Sequence, residues 1–329
     1  MIAKRIVASL AVLGGFVVAG AAGAWLVTGP SAATPAAPGT AVPDPDGLGL
    51  DELRTLPARV LADLPVPGQA TFCGQPVPLE RPEVREALAY ELILTVGRPT
   101  MPLLWMRRAP AVMPMIEARL RESNLPDDLK YIAMIESDLR WTTRSPAGAV
   151  GLWQFIAGTA TRYGLVVDKV LDERLDPERS TDAALRYLLA LKTEFGDWFL
   201  AMAGYNAGEN TVRNAIRDNG AKAPYFDLYL PYETRRYVYR ALAAKLVYQD
   251  PEAYGLVRMA PLFVPEFSRT VVEQKAGTIA LREVAARHGI GYAALRTANP
   301  QLKEAVLPHG RYVLRIPRKG TAVGVEGNP

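Results

Sequence analysis

The chain has 329 residues, 49% hydrophobic and 22% charged, enough apolar material for one to three ordinary globular domains. Its 38 Lys and Arg stand against 34 Asp and Glu, a formal charge of +4 with the bases scattered, which argues against nucleic acid as a partner. One cysteine, Cys73, excludes an intramolecular disulfide; a reactive thiol and a dimer link are open to it, but a small buried residue is the preferred reading. With only His288 and His309 as histidines, a zinc site or a nucleophile-histidine arrangement has little to build on.

Lys4 and Arg5 precede an uncharged run over residues 6–28. Two readings of residues 1–28 fit: a signal peptide cut near Ala22-Gly23-Ala24, or an uncleaved inner-membrane anchor, which needs about 20 apolar residues. In both, the basic residues stay inside and the rest of the chain is exported. Residues 29–50, rich in Pro, Ala and Gly, read as an extended linker.

From about residue 48 to 260 the pattern predicts nearly all helix and no alternating strands. Helical periodicity runs over 80–94, 112–122, 126–140, 151–163, 180–195 and 234–248, with Gly, Pro and Asn between. Ser180-Thr181-Asp182 supplies cap-type residues before an Ala/Leu-rich run. A connection over 251–266 leads to a different pattern in 267–318. There, strand-like residues 269–274 and 312–316 bracket two short helices at 281–288 and 292–298, a βααβ unit; 319–329 is a loose tail. The expected fold class is mainly α, followed by a small α+β domain.

The chemistry concentrates around residues 124–140, NLPDDLKYIAMIESDLR. Pro126, Asp127 and Asp128 suit a helix start. At 100° per residue the apolar stripe is Leu129, Ile132, Ala133, Ile135 and Leu139, and Glu136 falls inside it. A carboxylate facing a core is costly when ionised, so burial raises its pKa and suits it to act as a general acid near neutral pH. The competing reading is a Glu at the stripe's rim, reaching solvent or a structural Arg.

A small-residue loop, Ser145-Pro146-Ala147-Gly148-Ala149-Val150-Gly151, follows, of the kind that lets a long ligand approach the backbone. Trp153-Gln154-Phe155 comes next; Gln154 can donate and accept, and the two aromatics either stack on a ligand or belong to the core. Gly204-Tyr205-Asn206-Ala207-Gly208 and Tyr237 carry the same double reading, polar site or helix end.

LPDDLKYIAMIESDLR, SPAGAVGLWQF, STDAALRYLLAL, LAMAGYNAGENTV and LPYETRRYVYRAL, in that order, resemble the lytic transglycosylases of the soluble-lytic-transglycosylase superfamily, most closely the membrane-bound murein transglycosylase D type. The resemblance covers roughly residues 72–250. It implies a lysozyme-like helical catalytic domain at 111–250, preceded by an N-terminal helical region at 51–110. It further implies a cleft for alternating GlcNAc and MurNAc, with Glu136 as catalytic residue. Sugar-binding positions would fall on Ser145, Gln154, Tyr205 and Asn206, with Tyr237 beside the acid. Gly204 and Ile156 depart from the family pattern without removing a polar group.

The βααβ unit resembles a LysM module through Gly277-Thr278, LREVAARHGI, YAALRTANP and LRIP, although the usual Asp before Thr278 is absent. That likeness implies glycan contacts at Gly277, Thr278, Asn299 and Pro300.

These resemblances imply non-hydrolytic cleavage of peptidoglycan strands in the periplasm or cell envelope, with Glu136 acting as acid and then base. No cofactor or metal is implied, and regulatory cell-wall proteins are expected partners. Two alternatives stand beside this: a goose-type lysozyme-like hydrolase, which would need a second carboxylate, and a non-catalytic cell-wall-binding scaffold. Asp138 projects about 160° from Glu136 on an ideal helix of 100° per residue, and neither Asp168 nor Asp172 sits in a recognisable motif.

Overall fold

The computed structural model describes residues 64–220, 223–261, 264 and 266–318. The leader or anchor at 1–28, the linker at 29–50 and the tail at 319–329 lie outside the described residues. Among the described residues no helix is long and apolar enough to cross a membrane.

The first element corrects the all-helical expectation. Ala70–Phe72 (β1) and Gln75–Val77 (β2) form an antiparallel hairpin. Its turn places Cys73 and Gly74 at φ 52° and 75°. Cys73 is buried there, as expected, and burial pushes its thiol pKa far up, so the thiolate is suppressed.

Helices α1 (Pro82–Val96), α2 (Thr100–Glu122), α3 (Lys130–Ser137), α4 (Ala157–Arg162), α5 (Pro177–Phe195), α6 (Trp198–Ala207), α7 (Glu209–Asn219) and α8 (Tyr232–Gln249) follow. The expected division between residues 110 and 111 falls inside α2, which runs on through Pro110 and Pro114. The helix α5 starts earlier than Ser180. Asp176 is its N-cap, accepting from the Glu178 and Arg179 N–H groups at 3.0 and 3.1 Å. Ser180 and Thr181 instead return their hydroxyls to the carbonyls of Asp176 and Pro177.

One apolar core joins the hairpin to all the long helices. The short helix α3 lies at its centre, with Tyr131, Ile132, Ala133, Met134 and Ser137 all buried. A helix buried on nearly every side has no polar face, so Met134 and Ser137, outside the apolar stripe, are buried as well. Ile135 and Glu136, near its C-terminal end, are its most accessible residues.

The C-terminal unit is the expected βααβ arrangement. Phe267–Gln274 (β3) pairs antiparallel with Gly310–Pro317 (β6), and Leu281–Arg287 (α9) and Tyr292–Ala298 (α10) lie between them in sequence. A second small pair joins Ile279–Ala280 (β4) to Val306–Leu307 (β5). Leu281, Val284, Leu295, Leu307 and Leu314 form a separate core, against which Val170 and Leu171 from the helical part also pack. Arg315 reaches Asp176 at 2.8 Å and Arg269 pairs with Glu178, so the two parts meet along a seam of opposite charges.

Candidate active site

The carboxyl of Glu136 is delivered by an abrupt helix end. Asp138 and Leu139, directly after α3, both take left-handed backbone conformations, φ 52° and 62°, a rare state for residues with a Cβ. The turn is braced from α2: Trp105 Nε1 donates to Asp138 Oδ1 at 2.8 Å, and Arg108 Nη1 donates to the Asp138 carbonyl at 3.0 Å. Asp138 therefore terminates the helix, with its carboxylate engaged by Trp105.

Tyr237, buried on α8, donates its hydroxyl to Glu136 Oε1 at 2.5 Å. Burial pushes the Glu136 carboxyl above the usual carboxylate range. The Tyr237 hydrogen bond and the Arg240 guanidinium pull it partly back, and the negative charge of Glu233 adds to the rise. The phenols of Tyr237 and Tyr205 are held far above their ordinary value, first by burial and then by the charge of Glu136, so both remain protonated donors.

The other expected positions are each fixed by short hydrogen bonds to neighbouring segments. Tyr205 donates its hydroxyl to the Trp153 carbonyl at 2.7 Å, adjacent to Gln154. Asn206 Oδ1 accepts from Thr234 Oγ1 at 2.9 Å, which orients the carboxamide beside α8 one turn before Tyr237. Ser145 Oγ accepts from the Ala149 N–H at 3.0 Å and closes the small-residue loop. Gln154 stands at φ 49°, with Nε2 donating to the carbonyls of Gly151 at 2.8 Å and Thr143 at 3.3 Å. A non-glycine residue held left-handed costs roughly 1–2 kcal/mol, a strain often kept at functional sites.

Several expectations change here. Residues 151–163 do not form one helix; 151–154 are turns, because left-handed Gly151 and Gln154 interrupt any helix before α4. Trp153 and Phe155 are both core residues rather than ligand platforms. Trp153 is fully buried with Nε1 donating to Thr181 Oγ1 at 2.9 Å, and the Phe155 ring packs in a three-ring cluster with Tyr187 and Tyr205. In the C-terminal unit Gly277 and Thr278 are exposed and Pro300 is half-buried. Asn299, by contrast, is fully buried. Its Nδ2 donates to the carbonyls of Leu295 and Arg315, and its Oδ1 accepts from the Arg315 N–H. A side chain so engaged holds the unit together and is unavailable to a glycan.

Sequence reasoning missed Arg240 and Glu233. They lie three residues after and four before Tyr237, the spacing of one helix face, and that signal was readable once Tyr237 was singled out.

Residues 113–227 match the family model described as the Transglycosylase SLT domain. The chain is 33% identical over 218 residues to the membrane-bound lytic murein transglycosylase D of Escherichia coli K12, covering 64% of this chain and 47% of that protein. It is 34% identical over 127 residues to the soluble lytic murein transglycosylase of Salmonella typhimurium, covering 36% of this chain and 20% of that one. Among solved structures, the 70 kDa soluble lytic transglycosylase of Escherichia coli aligns with a TM-score of 0.37 at 26% identity, over 42% of this chain and 24% of that chain. The chain thus spans about half the length, or less, of these relatives.

Proposed function

We propose that this chain, which carries a Transglycosylase SLT domain, is a lytic transglycosylase of the cell envelope that cleaves the MurNAc-β-1,4-GlcNAc bond of peptidoglycan without water. The observation that carries the reading is Glu136: a carboxyl set deep in the helical core yet still accessible, biased toward its protonated form and held at 2.5 Å by the Tyr237 hydroxyl. Protonated Glu136 donates to the glycosidic oxygen, and the bond from C1 of MurNAc breaks toward an oxocarbenium-like state. The carboxylate left behind is stabilised by the Tyr237 hydroxyl and by Arg240. It then takes the proton of the same sugar's C6 hydroxyl, whose oxygen closes on C1 to give a 1,6-anhydro end. Proton transfer of this kind supplies roughly 10²–10⁴-fold, and positioning of the sugar much of the rest.

Most glycosidases set two carboxyl groups across the bond. Here Asp138 is engaged by Trp105, Asp172 by Arg174, and Asp168 Oδ1 accepts from the Val170 and Leu171 N–H groups. These engagements favour a single-carboxyl mechanism. Glu233 is the observation on the other side: it is exposed, one turn before Tyr237, and its charge reaches Glu136. It is the residue a water-using, lysozyme-like reaction would recruit.

Ser145, Gln154, Tyr205 and Asn206 are the sugar-binding positions of this reading, and Gly277, Thr278 and Pro300 the glycan contacts of the LysM-like unit. Export, with residues 1–28 as signal peptide or inner-membrane anchor, matches a peptidoglycan substrate. The test is the clearing of purified peptidoglycan by the wild-type chain beside Glu136→Gln. Clearing by the first and none by the second is expected; equal clearing would reject Glu136, and none by either would favour the scaffold alternative.

A further inference from the structure

The small-residue loop after Glu136 is tied from outside by one side chain that the mechanism above does not use. Arg174 and Asp172 are both buried, with side chains 9% and 5% exposed. The Arg174 fork lies on the Asp172 carboxylate, Nε on Oδ1 at 2.8 Å and Nη2 on Oδ2 at 2.9 Å. Its remaining nitrogen, Nη1, donates at 3.1 Å to two carbonyls, Gly148 and Phe155. A single guanidinium thus clasps both ends of residues 148–155, the stretch that contains Gln154. The backbone of Arg174 adds a second restraint. Gly151, at φ 88°, backs onto the Arg174 carbonyl so closely that a Cβ there would lie 1.8 Å from the oxygen.

The other side of this clasp is the C-terminal unit. The Asp172 N–H donates to the Gln301 carbonyl at 2.8 Å, and the Lys303 N–H donates to the Val170 carbonyl at 2.8 Å. Leu171 and Leu302 form a β-bridge, and Lys303 Nζ donates to the Asp168 carbonyl at 2.6 Å. Residues 168–172 therefore belong by packing to the C-terminal unit and by sequence to the segment that carries Arg174.

We infer that Arg174 is a positioning residue for the sugar-binding loop, and that it couples the docking of the C-terminal unit to the geometry of the cleft. The inference rests on the transglycosylase reading for its kinetic consequence and on geometry alone for its structural one. A planar fork is needed, because only a guanidinium reaches a carboxylate bidentately while a further nitrogen spans two carbonyls. A lysine has one ammonium and cannot serve all four acceptors at their present places. The C-terminal unit is then a brace for the active site, independently of any glycan it binds itself.

The experiment is amide hydrogen exchange on the full chain, comparing wild type with Arg174→Lys and with Leu171→Ser. The second variant weakens the docking seam without touching the clasp. In both, the Ala149, Val150, Gly151 and Phe155 amides are expected to exchange at least about tenfold faster, with α5 and α8 unchanged. Against peptidoglycan, Arg174→Lys is expected to raise KM roughly tenfold, with little change in kcat and no movement of the pH profile set by Glu136.

Native-like protection of residues 145–155 in folded Arg174→Lys would overturn the positioning role. Protection lost in Arg174→Lys but kept in Leu171→Ser would overturn the coupling to the C-terminal unit. Should Arg174→Lys fail to fold, the exchange of Leu171→Ser alone decides: faster exchange upholds the inference and unchanged exchange rejects it. Exchange changes in the variants together with a wild-type chain that leaves peptidoglycan intact would refute the proposed activity and leave the clasp standing.

Discussion

Replacing Glu136 with Gln is expected to stabilise the folded chain at neutral pH while abolishing activity. Glu136 is buried enough that its folded-state pKa is raised above the ordinary carboxylate range. Between the unfolded and folded pKa values the native state binds the extra proton, so stability falls as pH rises through that window. Below the unfolded value both states are protonated and the penalty is absent. Above the folded value the full cost of an ionised carboxylate in a low-dielectric site is carried, offset in part by the Tyr237 hydroxyl and Arg240. A glutamine side chain would match the volume, accept the Tyr237 hydroxyl and never ionise. Relieving such a functional penalty typically contributes about 0.5–2 kcal/mol. At about 2–4 °C per kcal/mol for a chain of this size, the midpoint should rise by roughly 1–8 °C at about pH 7.5 and hardly at all at about pH 4. Thermal unfolding by circular dichroism at the two pH values makes the comparison. A variant that gains equally at both, or loses at neutral pH, would refute the claim that Glu136 bears a desolvation cost.

Tyr237→Phe removes a hydrogen bond to the charged form of Glu136, worth about 1.5–3 kcal/mol, so turnover should fall roughly ten- to a hundredfold. The same loss favours the protonated acid, so the alkaline limb of the pH–rate profile should move to higher pH; a limb that stays or moves down contradicts the assignment. Asp138→Asn keeps an acceptor for Trp105 and tolerates the left-handed backbone, so peptidoglycan turnover should stay within about twofold of wild type. A large loss would make Asp138 a second catalytic carboxyl. Gly151→Ala adds left-handed strain of about 1–2 kcal/mol to a clash with the Arg174 carbonyl, and should cost at least about 3 kcal/mol in denaturant unfolding; a smaller loss would mean the loop is not clasped as described.

Much of this was legible in the residues, for identifiable reasons. Long helices such as Pro177–Phe195 and Tyr232–Gln249 repeat their apolar positions over many turns, and periodicity finds them. The hairpin at 70–77 was missed because three-residue strands are too short to alternate. Residues 151–163 looked helical because nothing local marks Gln154 as left-handed; that conformation is imposed by Gly151 and by the turn's own hydrogen bonds. Glu136 stood out as a charge among apolar residues, though the reason proved different from an outer apolar stripe. The helix is central, and Glu136 near its C-terminal end is only half-buried. The clasp of Arg174 had no signature, because its two carbonyl partners at Gly148 and Phe155 are backbone atoms far along the chain. The motif around Asn299 resembles a glycan-binding one, while folding commits both of its polar atoms to the backbone.

If one carboxyl at Glu136 both breaks the glycosidic bond and closes the anhydro ring, purified peptidoglycan digested in heavy-oxygen water will show it by mass spectrometry. Unlabelled products are expected, one water lighter than hydrolysis would give and without a reducible end, and none from Glu136→Gln. Labelled, reducible ends from the wild-type chain would contradict it, assigning the reaction to water and turning the search for a second carboxylate to Glu233.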